Sequence, residues 1–415
     1  MILRKEIEVM APVGSYESLM AAIQGGADSI YFGVEQLNMR SLSSANFSLD
    51  DLTKIVSICK ENNLKSYLTV NCILYDEDMQ TMRNVIDRAK EAGISAVIVS
   101  DQAALMYADK VGVEVHLSTQ LNISNIEALE FYARYADVVV LARELNMEQV
   151  RYIYDQIRER DIRGKRGELI KIEMFAHGAL CMAVSGKCYL SLHEYNISAN
   201  RGGCRQICRR SYEVKDMDTG SELVIENKHI MSPKDLCTID FLDKVLEAGV
   251  RVLKIEGRAR PAEYVKRVSE CYSEAISSIE NGSYTQEKIA AWKEKLSTVF
   301  NRGFWDGYYL GRRLGEWSDA YGSSATKSKI YVGKVTNYFS KLGVAEVLVE
   351  AAPLSVDEEI IIVGDTTGVV EQMVGELRLD LISQPTVEQG NKCSLITKEL
   401  VRRGDKLYKL VDNKR

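Results

Sequence analysis

Short apolar runs rich in β-branched and aromatic residues recur along the chain as far as residue 257, and a helix-sized segment separates most of them. Several of these segments end in AG or GG, the glycine expected just after a helix. Strands that alternate with helices predict parallel β–α–β units. Eight such units favour a (β/α)8 barrel, like a TIM barrel, over an open doubly wound sheet, since no glycine-rich phosphate loop follows the first run. The eight runs cover residues 7–12, 29–33, 65–71, 96–101, 114–119, 137–142, 172–178 and 251–257.

The connection between the seventh and eighth runs, residues 179–250, is far longer than a barrel unit needs. It holds a cysteine-rich stretch, followed by YEVKD and LVIEN on either side of DTGS, which predicts a β-hairpin. Long insertions at the carboxyl ends of barrel strands commonly carry parts of an active site. We therefore expect this insertion to lie at the mouth of the barrel.

The pattern changes near Lys327, where apolar residues begin to alternate with a period of two and turn residues separate the runs. This periodicity is typical of an antiparallel sheet. The sequence predicts two domains, a barrel domain over residues 1–326 and a small antiparallel β-barrel over residues 327–415.

Composition limits the classes of function. Hydrophobic residues make up 46% of the chain, charged residues 27%, and the net charge is −6, so no general affinity for polyanions is expected. The chain has no apolar run of about 18 residues and starts without a secretory signal, so we expect a cytoplasmic protein. In a reducing compartment, clustered cysteines indicate metal or redox chemistry rather than disulfides.

Cysteines cluster in the insertion. Their spacing, C-x6-C-x15-C-x3-C followed by Cys237 in PKDLC, matches neither a zinc finger nor a ferredoxin, but thiolates suit zinc or an iron–sulfur cluster. The clustered residues are Cys181, Cys188, Cys204 and Cys208. The other four are expected to be buried small side chains, and these are Cys59, Cys72, Cys271 and Cys393.

Polar residues that follow the predicted strands are candidates for the site. Glu256 and Arg258, in KIEGR, are either catalytic or form an ion pair that closes the barrel. His177 is either a proton donor or a structural histidine. Asn71 and Gln120, which follow the third and fifth strands, are expected to contact substrate.

Hydrolytic motifs are scarce. The four histidines form no H-E-x-x-H pattern, and G-x-S-x-G is absent. His177 with Cys181 is the only local cysteine–histidine pair. The residues therefore give little support for peptidase activity.

Five segments resemble successive blocks of a bacterial family named collagenase-like peptidases, which is associated with RNA hydroxylation and with accessory proteins of the ubiquinone pathway. The block Cys181–Ser191 resembles the family signature, and the likeness covers nearly the whole chain. In length and C-terminal region the chain is most similar to the tRNA uridine 5-hydroxylation members. The segments are EVMAPVGSYESLMAAIQGGADSIYFG, FAHGALCMAVSGKCYLS, MSPKDLC, LKIEGRARPAEYV and NRGFWDGYYLG.

The resemblance implies a cofactor and a reaction. A 4Fe–4S cluster would be held by four cysteines, of which three match Cys181, Cys188 and Cys204. By block order the fourth is Cys237, with Cys208 as the alternative. The implied reaction is hydroxylation of the wobble uridine of tRNA to 5-hydroxyuridine, with prephenate as the oxygen donor.

The resemblance also implies partners for the basic residues. They are expected to hold tRNA phosphates or the carboxylates of the donor, although a solvated face is the alternative. The C-terminal domain would help to dock the tRNA. The residues concerned are Arg201, Arg205, Arg209, Arg210 and the stretch 163–166. Two other functions stay open, a peptidase of the same family and a non-catalytic iron–sulfur accessory protein.

Overall fold

A computed structural model describes residues 3–42, 46–213, 217–218, 229–311, 315–319 and 321–413. Eight parallel strands form a closed barrel, because each strand pairs with the next and the last pairs with both the first and the seventh. The predicted (β/α)8 barrel is confirmed. Its strands are β1 (Glu8–Pro12), β2 (Ser29–Phe32), β3 (Lys65–Val70), β4 (Ala96–Val99), β5 (Val115–Leu117), β6 (Val138–Val140), β7 (Lys171–Gly178) and, after the short strand β8 (Asp235–Cys237), β9 (Val250–Ile255).

Amphipathic helices follow the strands and cover the barrel. Glycines in the left-handed conformation end two of them, at Gly93 and Gly112, as the AG and VG endings require. The helices are α1 (Tyr16–Gln24), α2 (Asp51–Glu61), α3 (Met79–Ala92), α4 (Gln102–Val111), α5 (Ile126–Ala133), α6 (Met147–Glu159), α8 (Leu242–Glu247), α9 (Ala262–Glu280) and α10 (Gln286–Ser297), while α7 (Leu190–Tyr195) belongs to the long insertion. No helix in the described ranges is long and apolar enough to cross a bilayer.

Alternate residues of each strand face the helices or the inside of the barrel. The inward residues include a small buried cluster that contains Tyr31 and Tyr67. Two carboxylates are buried with them and paired: Glu173 lies 2.7 Å from the Lys254 ammonium, and Glu8 accepts a 2.7 Å hydrogen bond from Tyr67. The barrel is therefore filled with side chains, and ligands are restricted to its ends.

The long insertion lies between β7 and β9. It contains α7 and β8, and β8 pairs antiparallel with the end of β7 and parallel with β10 (Phe304–Trp305). Because β8 pairs with the carboxyl end of β7, the insertion lies at the end of the barrel where a site was expected. The predicted hairpin over residues 212–227 falls almost wholly outside the described residues.

The C-terminal region is rich in antiparallel strands, as the sequence predicts. Eight of them form one sheet in the order β15-β14-β20-β11-β12-β19-β16-β17, while β13 pairs with β18. They are β11 (Lys327–Phe339), β12 (Val344–Val349), β13 (Leu354–Ser355), β14 (Glu359–Gly364), β15 (Gly368–Met373), β16 (Leu377–Leu379), β17 (Ile382–Gln384), β18 (Thr386–Val387), β19 (Lys392–Ile396) and β20 (Lys406–Asp412). These strands enclose a second apolar core.

Candidate functional site

The carboxyl ends of the barrel strands bring polar side chains to one mouth. Asn71, which follows β3, donates hydrogen bonds to Ser118 Oγ at 3.1 Å and to Gln120 Oε1 at 3.4 Å, both of which follow β5. Asn71 also accepts a hydrogen bond from the Met39 amide at 3.3 Å. The structure therefore brings together the two residues that the sequence selects as substrate contacts, Asn71 and Gln120.

Glu256 stands at the end of β9 among cationic groups. One carboxylate oxygen lies 2.9 Å from Arg40 Nη2, and the other accepts a 3.2 Å hydrogen bond from Tyr31. Burial alone would raise its pKa, but the guanidinium charges of Arg40, Arg143 and Arg258 lower the pKa of Glu256 to about 2. Three cations around one carboxylate leave an excess of positive charge at the mouth.

Two of these guanidinium groups are held by neutral partners. Arg258 is buried and donates to Asn38 Oδ1 at 3.1 Å and to Thr69 Oγ1 at 2.9 Å; burial lowers its pKa to about 10, so it stays charged at neutral pH. Arg143 lies 3.6 Å over the Phe175 ring. Its buried Nε finds no hydrogen-bond partner within the described residues.

We call the group of Arg40, Arg143, Arg258 and Glu256 the arginine cup. Planar guanidinium groups donate paired hydrogen bonds to carboxylates and phosphates. A buried N–H group without an acceptor favours binding of such an anion. The arginine cup can therefore hold a small anion beside Glu256.

Sequence reasoning missed two members of the arginine cup. Arg143 follows β6, and the same rule that selects Asn71 after β3 could have found it. Arg40 lies in the long connection between β2 and α2, where no periodicity or motif marks it. Only the folded contact with Glu256 identifies Arg40.

His177 lies on β7 but is enclosed by aromatic rings. Ring centroids of Tyr264, Tyr272 and Phe304 lie within 5.6–6.0 Å of the imidazole. Burial lowers the pKa of His177 to about 3, so the ring is neutral at physiological pH. These surroundings favour the structural interpretation of His177 over the proton donor that the sequence allowed.

Four thiols of the insertion are neighbours. Cys208 interacts electrostatically with Cys181, Cys188 and Cys204, and Arg40 of the arginine cup interacts with two of them, Cys181 and Cys204. Cys181 is exposed and the other three are half-buried. The thiols thus border the arginine cup.

The four thiols fit an iron–sulfur cluster by donor chemistry, because thiolates are the soft ligands that iron–sulfur clusters use. In the described ranges, however, no three His, Cys, Asp or Glu side chains have the geometry of a metal site. Binding of a cluster would therefore require the loop to draw the thiols closer together.

Cys237, the fifth cysteine of the insertion, is buried. It is on β8 opposite His177, and its buried thiol interacts with Tyr272 and with Asp240. Burial raises the pKa of Cys237 to about 12, which disfavours the thiolate. Burial raises the pKa of Cys208 as well, so the choice of Cys237 as the fourth ligand, with Cys208 as the alternative, stays a prediction.

Three predicted anion-binding arginines have protein partners. Arg201 lies 2.6 Å from an Asp78 oxygen, and Arg210 lies 2.6 Å from a Glu194 oxygen. Arg209 is buried and donates to the Leu180 carbonyl at 2.7 Å and to Ser232 at 3.0 Å. Arg205 is exposed, and its side chain has no partner within the part of the chain that the structure describes.

The basic stretch 163–166 cannot contact a ligand at the mouth. It precedes β7 and so lies at the opposite end of the barrel. Its three cationic side chains also form ion pairs, and Arg163 pairs with Asp161. The remaining pairs are Lys165 with Asp109 and Arg166 with Glu114. This stretch therefore lies away from the mouth, and its predicted contact with tRNA phosphates stays a prediction.

The fold and the site define a (β/α)8 barrel with a thiol-rich insertion over a cationic mouth. A family model described as Peptidase family U32 matches residues 14–319, and the chain belongs to this family. Collagenase of Porphyromonas gingivalis is 63% identical over 404 residues, which cover 97% of this chain and 98% of that protein.

Other relatives carry a different name. The tRNA hydroxylation protein P1 of Bacillus subtilis is 32% identical over 349 residues, which cover 81% of this chain and 79% of that protein. The tRNA hydroxylation protein P of Helicobacter pylori is 29% identical over 318 residues, which cover 74% and 72%. Members of the family thus carry names of peptidases and of RNA hydroxylation proteins.

Proposed function

We propose that this chain is an RNA-modifying enzyme that takes part in hydroxylation of the wobble uridine of tRNA to 5-hydroxyuridine. The observation that carries the proposal is the position of four thiols beside the arginine cup at one barrel mouth. This arrangement can hold a redox cofactor and an anionic oxygen donor next to each other. The relatives named as tRNA hydroxylation proteins support the same reaction class.

In this proposal the arginine cup holds the oxygen donor, a small carboxylate such as prephenate. The guanidinium groups of Arg143 and Arg258 would bind its carboxylates, since Glu256 already neutralises Arg40 at 2.9 Å. Asn71 and Gln120 would contact the polar remainder of the donor. The ionised Glu256 would keep Arg40 in place throughout.

The proposal assigns a 4Fe–4S cluster to Cys181, Cys188, Cys204 and Cys208. When bound, such a cluster supplies one-electron chemistry. The chain's own contribution is to hold the donor beside the thiols. A wobble base is unpaired, so it can enter the mouth without the cost of opening a duplex.

The RNA reaction is tested in a strain from which the gene is deleted. We expect tRNA nucleosides derived from 5-hydroxyuridine to disappear and to return with the wild-type gene. Arg143→Met should lower them at least about 10-fold through loss of a charge-assisted contact, whereas Arg163→Met, at the other end of the barrel, should restore them fully. Mass spectrometry of digested tRNA gives the result. Unchanged nucleosides in the deletion strain would overturn the proposed function.

The ligand set is tested separately by iron content after anaerobic reconstitution. We expect Cys208→Ala to lose most of the iron and sulfide, because it removes one of four neighbouring thiolates. Cys237→Ala should retain both, as should the matched control Cys271→Ala, which removes another buried thiol. If Cys208→Ala retains iron and sulfide while Cys237→Ala loses them, the fourth ligand is Cys237 and not Cys208.

A peptidase is the second candidate, because a relative 63% identical is named Collagenase. Cys181 would be the nucleophile, since it is the exposed thiol. The site gives this candidate little support, as the buried and neutral His177 is unsuited to activate it. Digestion of gelatin by the wild type and not by Cys181→Ala would establish the peptidase; equal digestion by both would exclude Cys181 as nucleophile.

A further inference from the structure

The insertion exposes an unusual amount of apolar surface within a few residues of its thiols. Large apolar side chains on the segment Met182–Tyr195 are more than a third exposed, and Tyr189 reaches 64%. We call these side chains the aromatic rim. They are Met182, Val184, Tyr189, Leu190, Leu192 and Tyr195. Contiguous apolar surface that stays in water commonly marks a binding surface.

The aromatic rim is anchored at the barrel mouth. Gly186 has φ +76°, and a Cβ atom there would lie 2.7 Å from Gln120 Cγ and 3.5 Å from Met39 Cε. Glycine therefore allows the segment to approach the mouth residues closely. Since Cys181 and Cys188 flank this contact along the chain, the aromatic rim borders both the thiols and the mouth.

Charge around the aromatic rim favours a polyanion. Between residues 181 and 210 the sequence has five lysines and arginines but a single acid, Glu194, which pairs with Arg210. Lys187 and Arg205 have no side-chain partner among the residues that the structure describes. The Arg205 amide donates to Ser191 Oγ at 3.0 Å, which holds Arg205 beside α7.

Exposed rings next to unpaired cations are the combination that binds single-stranded nucleic acid, because bases stack on the rings while the cations contact phosphates. The Tyr189 ring is supported edge-on by His193, at 6.4 Å between centroids. We infer that the aromatic rim stacks unpaired RNA bases beside the target nucleotide, with Tyr189 as its main stacking residue. This inference rests on the proposed function.

The test is RNA binding by the full chain, measured by fluorescence anisotropy with a labelled anticodon stem-loop. Tyr189→Ala should bind about 10-fold more weakly, while Tyr189→Phe, which keeps the ring, should bind like the wild type. The salt dependence of Tyr189→Ala should match that of the wild type, since its phosphate contacts remain. Tyr152→Ala, which removes another exposed tyrosine from α6, is the matched control and should bind normally.

The outcomes separate the inference from the proposed function. Wild-type protein that binds the stem-loop while Tyr189→Ala binds it equally well overturns the inference alone. Wild-type protein that binds no RNA overturns both. A shift of Tyr189→Ala from dimer to monomer with unchanged RNA affinity would make the aromatic rim a contact between copies of the chain, which also overturns the inference.

Discussion

At the scale of single residues, the role of each cation depends on which group the fold places beside it. Arg201 and Arg210 come from the stretch that the sequence marks as anion-binding, yet both are paired with carboxylates. Arg143 is not among the arginines that the sequence marks as anion-binding, yet one of its buried N–H groups lacks an acceptor within the described residues. A cationic residue in a sequence can bind an anionic ligand. Only its neighbours in the folded protein show whether a carboxylate of the protein already neutralises it.

The buried His177 makes stability depend on pH. Its folded pKa of about 3 lies below the ordinary value of 6.5, so the unfolded chain takes up the proton first as the pH falls. The stabilisation is present above pH 6.5 and is lost progressively from there towards pH 3. Between pH 7 and pH 5 the wild type should lose about 2 kcal/mol relative to His177→Phe, which has no proton to bind.

This prediction is measured as the difference in free energy of unfolding between the two proteins at each pH, by urea denaturation. Comparison with the variant removes the contribution of the other titrating groups. A difference that does not change between pH 7 and pH 5 would show that His177 is protonated in the folded protein and contradict its burial among aromatic rings.

At the scale of elements, one loop joins the arginine cup to the insertion. Asn38 Oδ1 accepts hydrogen bonds from Arg258 at 3.1 Å and from the Arg40 amide at 2.9 Å, and the Leu42 amide donates to the Gly202 carbonyl at 3.3 Å. Gly202 has φ +89°, and a Cβ atom there would lie 2.0 Å from Ser41 Oγ. The loop that carries Arg40 to Glu256 therefore packs directly against the segment that carries Cys204.

The elements of the barrel could be predicted and the arrangement of the site only in part. Strands such as β4 and β6 are short apolar runs whose burial follows from local pattern, so their periodicity was sufficient. The insertion has no such pattern, and contacts such as Gly202 with Ser41 join residues that are distant in sequence. The order of motifs along the chain predicts Cys237 as a cluster ligand, but it does not report that this thiol is buried on β8 opposite His177.

At the scale of the whole molecule, the apolar core of the barrel extends onto two of the C-terminal strands, β14 and β15. Ile361 of β14 and Val369 of β15 are fully buried in the cluster that also fills the space between strands and helices of the barrel. A hydrogen bond adds to this apolar packing, because Lys266 of α9 donates to the Val369 carbonyl at 2.8 Å. An RNA held by both parts would therefore meet them in a fixed relative position.

We call the contact of α1 and α9 with β14 and β15 the joint. Gln24 of α1 makes two hydrogen bonds across it. Its amide donates to the Thr367 carbonyl at 3.0 Å and accepts from the Val369 amide at 2.9 Å, so it satisfies two backbone groups of the β14–β15 turn. Gln24→Ala leaves both unpaired, at a cost of about 1–3 kcal/mol. Local opening should then expose the Val369 amide, and its hydrogen exchange should accelerate about 5–100-fold.

Hydrogen exchange followed by mass spectrometry measures this change peptide by peptide, with the barrel strands as an internal reference. Gln80→Ala is the control, because Gln80 is an exposed glutamine on α3, far from the joint in the chain. Equal exchange of the Val369 segment in the wild type and in Gln24→Ala would mean that apolar packing alone holds the turn. Faster exchange in β3 and β4 as well would mean that the joint stabilises the barrel itself, because these strands do not pair with β14 or β15.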